Sequence, residues 1–133
     1  MRTFIIATVF SAVASFTVLT NAAGTMMLMG QNLGHQYWCT VPSTDVTNAP
    51  TWATERDNPP VSVREAVRLA TKGLAETLGD VKDWHRQDIV LQEWPVKGYW
   101  VYEITFGGPS PGSVMTVVVL MNGHVICPKL GKK

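Results

Sequence analysis

The chain has 133 residues, 46% of them hydrophobic, with 11 basic and 10 acidic side chains and a formal net charge of +1. That length suits one domain once a leader is set aside. So even a charge balance lacks the basic face that meets phosphates, which sets nucleic acid aside as a partner.

At the N-terminus, Met1-Arg2-Thr3 supplies one positive charge, and no charged residue follows from Phe4 to Leu19. Small residues then run from Thr20 to Gly24. A positive start, an apolar core and a small-residue site define a secretory signal peptide, here residues 1–22 with cleavage expected after Ala22 or Ala23. The expected location is therefore secreted or periplasmic. An uncleaved anchor is the alternative, because Met26, Met27, Leu28 and Met29 lengthen the apolar stretch and a spanning helix needs about 20 such residues. Membrane contact is expected only in that case.

Residues 23–60 are rich in Gly, Pro, Ser, Thr and Asn, and they read as an irregular arm. Tyr37, Trp38 and Trp52 are its apolar anchors. Cys39 lies in this arm and Cys127 near the C-terminus, and they are the chain's two cysteines. An oxidising compartment lets two cysteines pair. In the chain-entropy model, a bridge closing so long a loop stabilises by about 4–5 kcal/mol. The chemical alternative is a Cys nucleophile served by His35, His85 or His124, and no local motif supports it. The structural Cys39–Cys127 disulfide is therefore expected.

An α+β domain is expected over residues 61–128. Ser62-Val63-Arg64-Glu65 fits a capping box behind Pro59-Pro60. Val63, Ala66, Val67, Ala70, Leu74, Leu78 and Val81 recur at spacings of three and four, which predicts an amphipathic helix over 63–78. Gly79 supplies its C-terminal cap. Four strands follow. The first spans 88–94, and the second, 99–106, sets Trp100, Tyr102, Ile104 and Phe106 on one face. The third, 114–121, is apolar on both faces and so central. Asn122-Gly123 predicts a two-residue hairpin turn into 124–127, placing Met121 opposite His124 and Val118 opposite Cys127. The expected fold is one helix packed on a three- to four-stranded antiparallel meander. Residues 129–133, with Lys129, Lys132 and Lys133, read as a solvated basic tail.

Two resemblances can be named on these residues. Glu65-Ala66-Val67 on the helix, Tyr99-Trp100-Val101-Tyr102-Glu103-Ile104 on a strand, and the Asn122-Gly123-His124-Val125 hairpin together resemble a PepSY-type domain over about residues 60–128. That likeness implies a helix on an antiparallel sheet and an inhibitory or regulatory role toward a protein partner. The chain departs from it in lacking a strongly acidic, lysine-rich surface. The long helix followed by a meander is also similar to the cystatin arrangement, whose inhibitors insert a Gln-x-Val-x-Gly hairpin into cysteine proteases. Trp94-Pro95-Val96-Lys97-Gly98 stands at the equivalent hairpin, keeping Val96 and Gly98 but carrying Trp94 in place of glutamine.

Phosphate-binding, nucleophile-elbow, zinc-helix and haem motifs are absent from the sequence. His35 and Cys39 have a spacing that suits two metal ligands, but no further ligand lies nearby. Asp80, Asp83, His85 and Asp88 form the densest ionisable cluster, in a connector where solvated polar residues are usual. No metal or cofactor is expected. The expected function is a non-enzymatic module that binds a protein partner through Trp94, Pro95, Val96, Gly98 and Tyr99, with the 107–112 loop; a place in the core is the alternative for the aromatics, and it is the one expected for Trp100. The other class is a small-ligand protein or enzyme using the open sheet face.

Overall fold

The computed structural model describes residues 17–20, 25–55 and 57–131. Residues 1–16 of the expected signal peptide and the expected cleavage positions lie outside these. Thr17–Thr20, inside the expected signal peptide, forms strand β1. The remaining elements are β2 (Thr25–Asn32), β3 (His35–Val41), α1 (Ser43–Thr47), α2 (Val63–Leu78), β4 (His85–Glu93), β5 (Trp100–Gly107), β6 (Val114–Leu120), β7 (Val125–Ile126) and β8 (Lys129–Leu130). Among the described residues, no helix is long and apolar enough to cross a membrane.

The fold is α+β, with one long helix on a large antiparallel sheet. The sheet runs β4-β5-β6-β2-β3-β8, with β1 paired to β2 and β7 to β6. Its eight strands among the described residues exceed the three or four expected. The difference lies in residues 25–41, which form a hairpin rather than an irregular arm. Met26, Leu28 and Gly30 alternate inward, and their partners Val41, Cys39 and Tyr37 share that face. Strand character here comes from burial on alternate positions, which a Met- and Gly-containing run conceals in composition. The turn conceals it too. Asn32 pairs with His35, so Leu33 and Gly34 form a two-residue loop, both with positive φ (49° and 76°). Such loops usually carry Asn or Gly at the first position, and leucine does not announce one.

Helix α2 matches its expected limits. Ser62 Oγ accepts from Glu65 N–H at 3.2 Å, and Gly79 N–H caps Ala75 O at 2.8 Å with φ of 84°. Only half of the expected capping box forms, because the Glu65 carboxylate turns to Arg68. The helix buries Ala66, Ala70, Gly73 and Leu74, whereas Val63, expected on the apolar stripe, is exposed. Small residues let the axis approach the sheet. A Cβ on Gly73 would lie 2.6 Å from Cys127 Sγ and 2.9 Å from a Val125 methyl.

Strands β4 to β7 follow the expected meander. Tyr102, Ile104 and Phe106 of β5 lie across from Val119, Val117 and Met115 of β6, and Leu91 and Ile89 of β4 continue that face. The Tyr102 hydroxyl donates to Val61 O at 2.7 Å, which ties this face to the residue just before the helix cap. The last hairpin corrects the expected register. Val118 pairs with Ile126 and Val119 with Val125, so the loop holds Met121, Asn122 and Gly123 rather than Asn-Gly alone. Gly123 N–H returns to Leu120 O at 2.9 Å with φ of 82°. That is the three-residue loop, a turn followed by a left-handed glycine.

The expected basic tail also begins as structure. Lys129 and Leu130 pair with Trp38 and Tyr37. Residues 125–130 thus join β6 at one end and β3 at the other, while Gln31 of β2 meets Val114 of β6 directly. The strands β6, β2, β3 and the C-terminal segment therefore form a closed circuit.

Candidate functional site

The hairpin between β4 and β5 carries the residues singled out from sequence, and the structure divides them. Trp94 is buried at 5% exposure, and its indole N–H donates to Ser43 Oγ at 3.2 Å. It is an anchor for the segment after β3, not a contact surface. This corrects its expected partner-binding role: an indole that fills a core position is not available to a partner. Tyr99 is half-buried against the same core. Pro95, Val96 and Lys97 form the exposed tip, with Val96 at 46% exposure.

The tip is held by a compact set of bonds. Trp94 N–H donates to Tyr99 O at 2.7 Å, and Tyr99 N–H donates to Val96 O at 3.3 Å. Gly98 has φ of 88° and donates its N–H to Glu93 Oε1 at 3.1 Å. Gly98 O accepts from Trp52 N–H at 2.9 Å. The Trp52 and Trp100 rings meet edge to face at 5.3 Å. Sequence reasoning found the tip through Pro95 and Gly98. It missed the bracing by Ser43 and Trp52, because neither residue carries a local signal of a contact so far along the chain.

The two cysteines are unbridged thiols, which corrects the expected disulfide. Cys39 is 1% exposed and donates from Sγ to Ile126 O at 3.3 Å. Cys127 turns its sulfur toward Gly73 of the helix instead. Burial, with the neighbouring Cys127 sulfur adding to it, pushes the Cys39 thiol up to about 12. Burial also raises the Cys127 thiol, against a hydrogen bond with Thr77 that lowers it. Both are protonated at neutral pH, the opposite of what a nucleophilic cysteine requires.

Cys127 borders a crevice of about 670 Å³ between β3, the last turn of α2 and residues 124–131. Trp38, Thr40, Asp45, Thr77, His124 and Lys129 also border it. The other candidates of the sequence do not converge. His35 is exposed at the start of β3, while Cys39 on the same strand is buried. Asp80, Asp83, His85 and Asp88 are exposed along the connector and the start of β4. Asp80 Oδ1 accepts from Lys82 N–H at 3.0 Å, and Asp88 Oδ1 from Ile89 N–H at 2.9 Å. Among the described residues, no group of three or more His, Cys, Asp and Glu could hold a metal ion.

One ionisable group lies where sequence gave no warning. Glu103 points away from the helix-bearing face, and its Oε1 is buried with no hydrogen-bond partner among the described residues. Burial raises its carboxyl above the ordinary range.

Neither a family model, nor a curated protein, nor a solved structure matches the chain.

Proposed function

We propose that this protein is an exported, non-enzymatic module that engages a protein partner through the tip of the β4–β5 hairpin. The observation that carries this reading is an apolar side chain, Val96, standing exposed on a loop braced from both sides. A loop already fixed in shape loses little conformational freedom on binding, so an exposed apolar contact there converts more fully into affinity. Export rests on the charge, apolar core and small-residue site at the N-terminus. The PepSY-like resemblance supports a regulatory role toward a partner.

The same tip favours a second reading, in which it enters the cleft of a cysteine protease as a cystatin hairpin does. Val96 and Gly98 occupy the matching positions. The anchoring of Trp94 leaves Pro95 to Lys97 as the inserting residues.

A photo-crosslinking residue in place of Lys97 tests both readings in envelope and extracellular fractions. The expected result is a discrete protein adduct that excess wild-type chain competes away and Val96→Asp chain does not. Identification of a cysteine protease in that adduct selects the second reading. Absence of an adduct, or equal competition by the two chains, overturns the tip as the binding site.

A further inference from the structure

The β4 strand ends the sheet, and among the described residues nothing pairs with its outer edge. The direction of its backbone groups follows from two bonds. Trp94 N–H points across to Tyr99 O, so Gln92, Val90 and Asp88, at two-residue intervals, also turn toward β5. Ile89, Leu91 and Glu93 therefore present their N–H and C=O groups outward. The Ile89 N–H agrees, since it is donated to the Asp88 carboxylate beside it rather than to β5. A bulge between Arg86 and Asp88 ends the regular stretch on one side. Val90 is 40% exposed, on the face away from Ile89 and Leu91.

An exposed edge of this kind templates pairing with another strand. Its residues specify which one. Two copies of a strand related by a two-fold axis can pair antiparallel only with a residue facing its own copy, because neighbours along a strand point to opposite faces. Centred on Ile89, the pairing sets Val90 against Asp88 and runs Leu91 into the bulge. Centred on Leu91, it sets Val90 against Gln92 and Ile89 against Glu93. Centred on Val90, it sets valine against valine, Ile89 against Leu91 twice, and the Asp88 carboxylate against the Gln92 amide twice. Only the last register matches apolar with apolar and acceptor with donor at every pair from Asp88 to Gln92, with Glu93 alone facing the bulge. It also makes Ile89–Leu91 the pairs whose backbone groups face outward, so each exchanges both hydrogen bonds.

We infer that β4 pairs antiparallel with β4 of a second copy of the chain about a two-fold axis at Val90, joining two sheets into one. The Ile89 N–H leaves Asp88 for Leu91 O of the second copy, and Asp88 turns to the Gln92 amide. In this register Val90 and its copy form a non-hydrogen-bonded pair, whose side chains stand closest.

Sedimentation velocity on the full chain, from low micromolar to near-millimolar concentration, tests the pairing. The wild type is expected to shift from monomer to dimer over that range. Val90→Lys and Val90→Glu, which place like charges on the axis, are each expected to remain monomeric with unchanged thermal melting. Mixing these two variants is expected to restore a dimer, because the axis then carries opposite charges. A wild type monomeric throughout overturns the inference. So does a dimer that persists in both variants, or a mixture that stays monomeric. Val96→Asp is expected to dimerise normally, so failure of the hairpin tip as a partner site and failure of the β4 pairing are read separately.

Discussion

Replacing Tyr102 with phenylalanine removes one oxygen from the middle of the core and leaves the ring volume in place. Tyr102 has no exposed surface, and its hydroxyl donates to Val61 O at 2.7 Å. Val61 is itself buried and stands directly before the Ser62 cap, so the bond fixes where α2 begins over the sheet. Without the hydroxyl, that carbonyl is left in the core with no donor, a cost of about 1–3 kcal/mol, offset in part because the hydroxyl no longer needs desolvating. A net loss of about 1.5 kcal/mol is expected. For a domain of this size, each kcal/mol moves Tm by about 3–6 °C, giving a fall of roughly 5–9 °C. Calorimetry measures the shift, and urea titration should show a lower midpoint with an unchanged slope, since the surface exposed on unfolding is the same. A Tm within about 1 °C of wild type would refute the claim that this bond orients the helix.

Other perturbations follow from the same geometry. Glu103 has a folded-state pKa raised by burial, so its stabilising contribution is full below the unfolded carboxyl value and lost as pH rises through the folded one. Glu103→Gln should therefore be more stable than wild type near pH 7 and equal to it near pH 3, measured by urea midpoints at each pH. The thiols titrate with the same sign. Cys39, raised to about 12, favours the folded state below the unfolded thiol value, and that contribution declines as pH climbs from about 9. Alkylation of the native chain followed by mass spectrometry should modify the half-exposed Cys127 well before Cys39; equal rates would contradict the burial of Cys39. Leu33 holds φ of 49° in a two-residue loop with its side chain in solvent, so Leu33→Asn should raise stability by about 0.5–1 kcal/mol. An unchanged melting temperature would argue against strain at that turn.

The parts of the fold legible in sequence are those with short-range causes. Ser62, Gly79 and the three- and four-residue spacing between them define α2 from its own residues. Trp100 to Phe106 and Val114 to Leu120 announce β5 and β6 by their β-branched and aromatic content. The β2–β3 hairpin was hidden because its strand character depends on Met26, Leu28 and Cys39 meeting a core assembled from residues far along the chain. Its turn, built on Leu33, gave no contrary signal. The Asn122-Gly123 pair correctly marked a hairpin, but the loop length was set by Gly123 bonding back to Leu120, which left the expected opposition of Val118 and Cys127 one residue out. At the candidate site, Pro95 and Gly98 gave the turn, and the exposure of Val96 was consistent with it. The inward turn of Trp94 was decided by Ser43, a contact no local pattern encodes.

The closed circuit of β6, β2, β3 and residues 125–130 imposes an order on the life of the chain. The contact between Cys39 and Ile126 spans 87 positions, and the strand pairs that complete the circuit come from residues 125–130, far along the chain from the hairpin they close. A chain delivered N-terminus first holds its early hairpin without a closing partner until those residues are free. Non-local pairing of this kind is slow to form. Pairing of residues 125–130 with β6 and β3 therefore acts as a latch on the sheet, and the β2–β3 hairpin keeps an open edge until that latch closes.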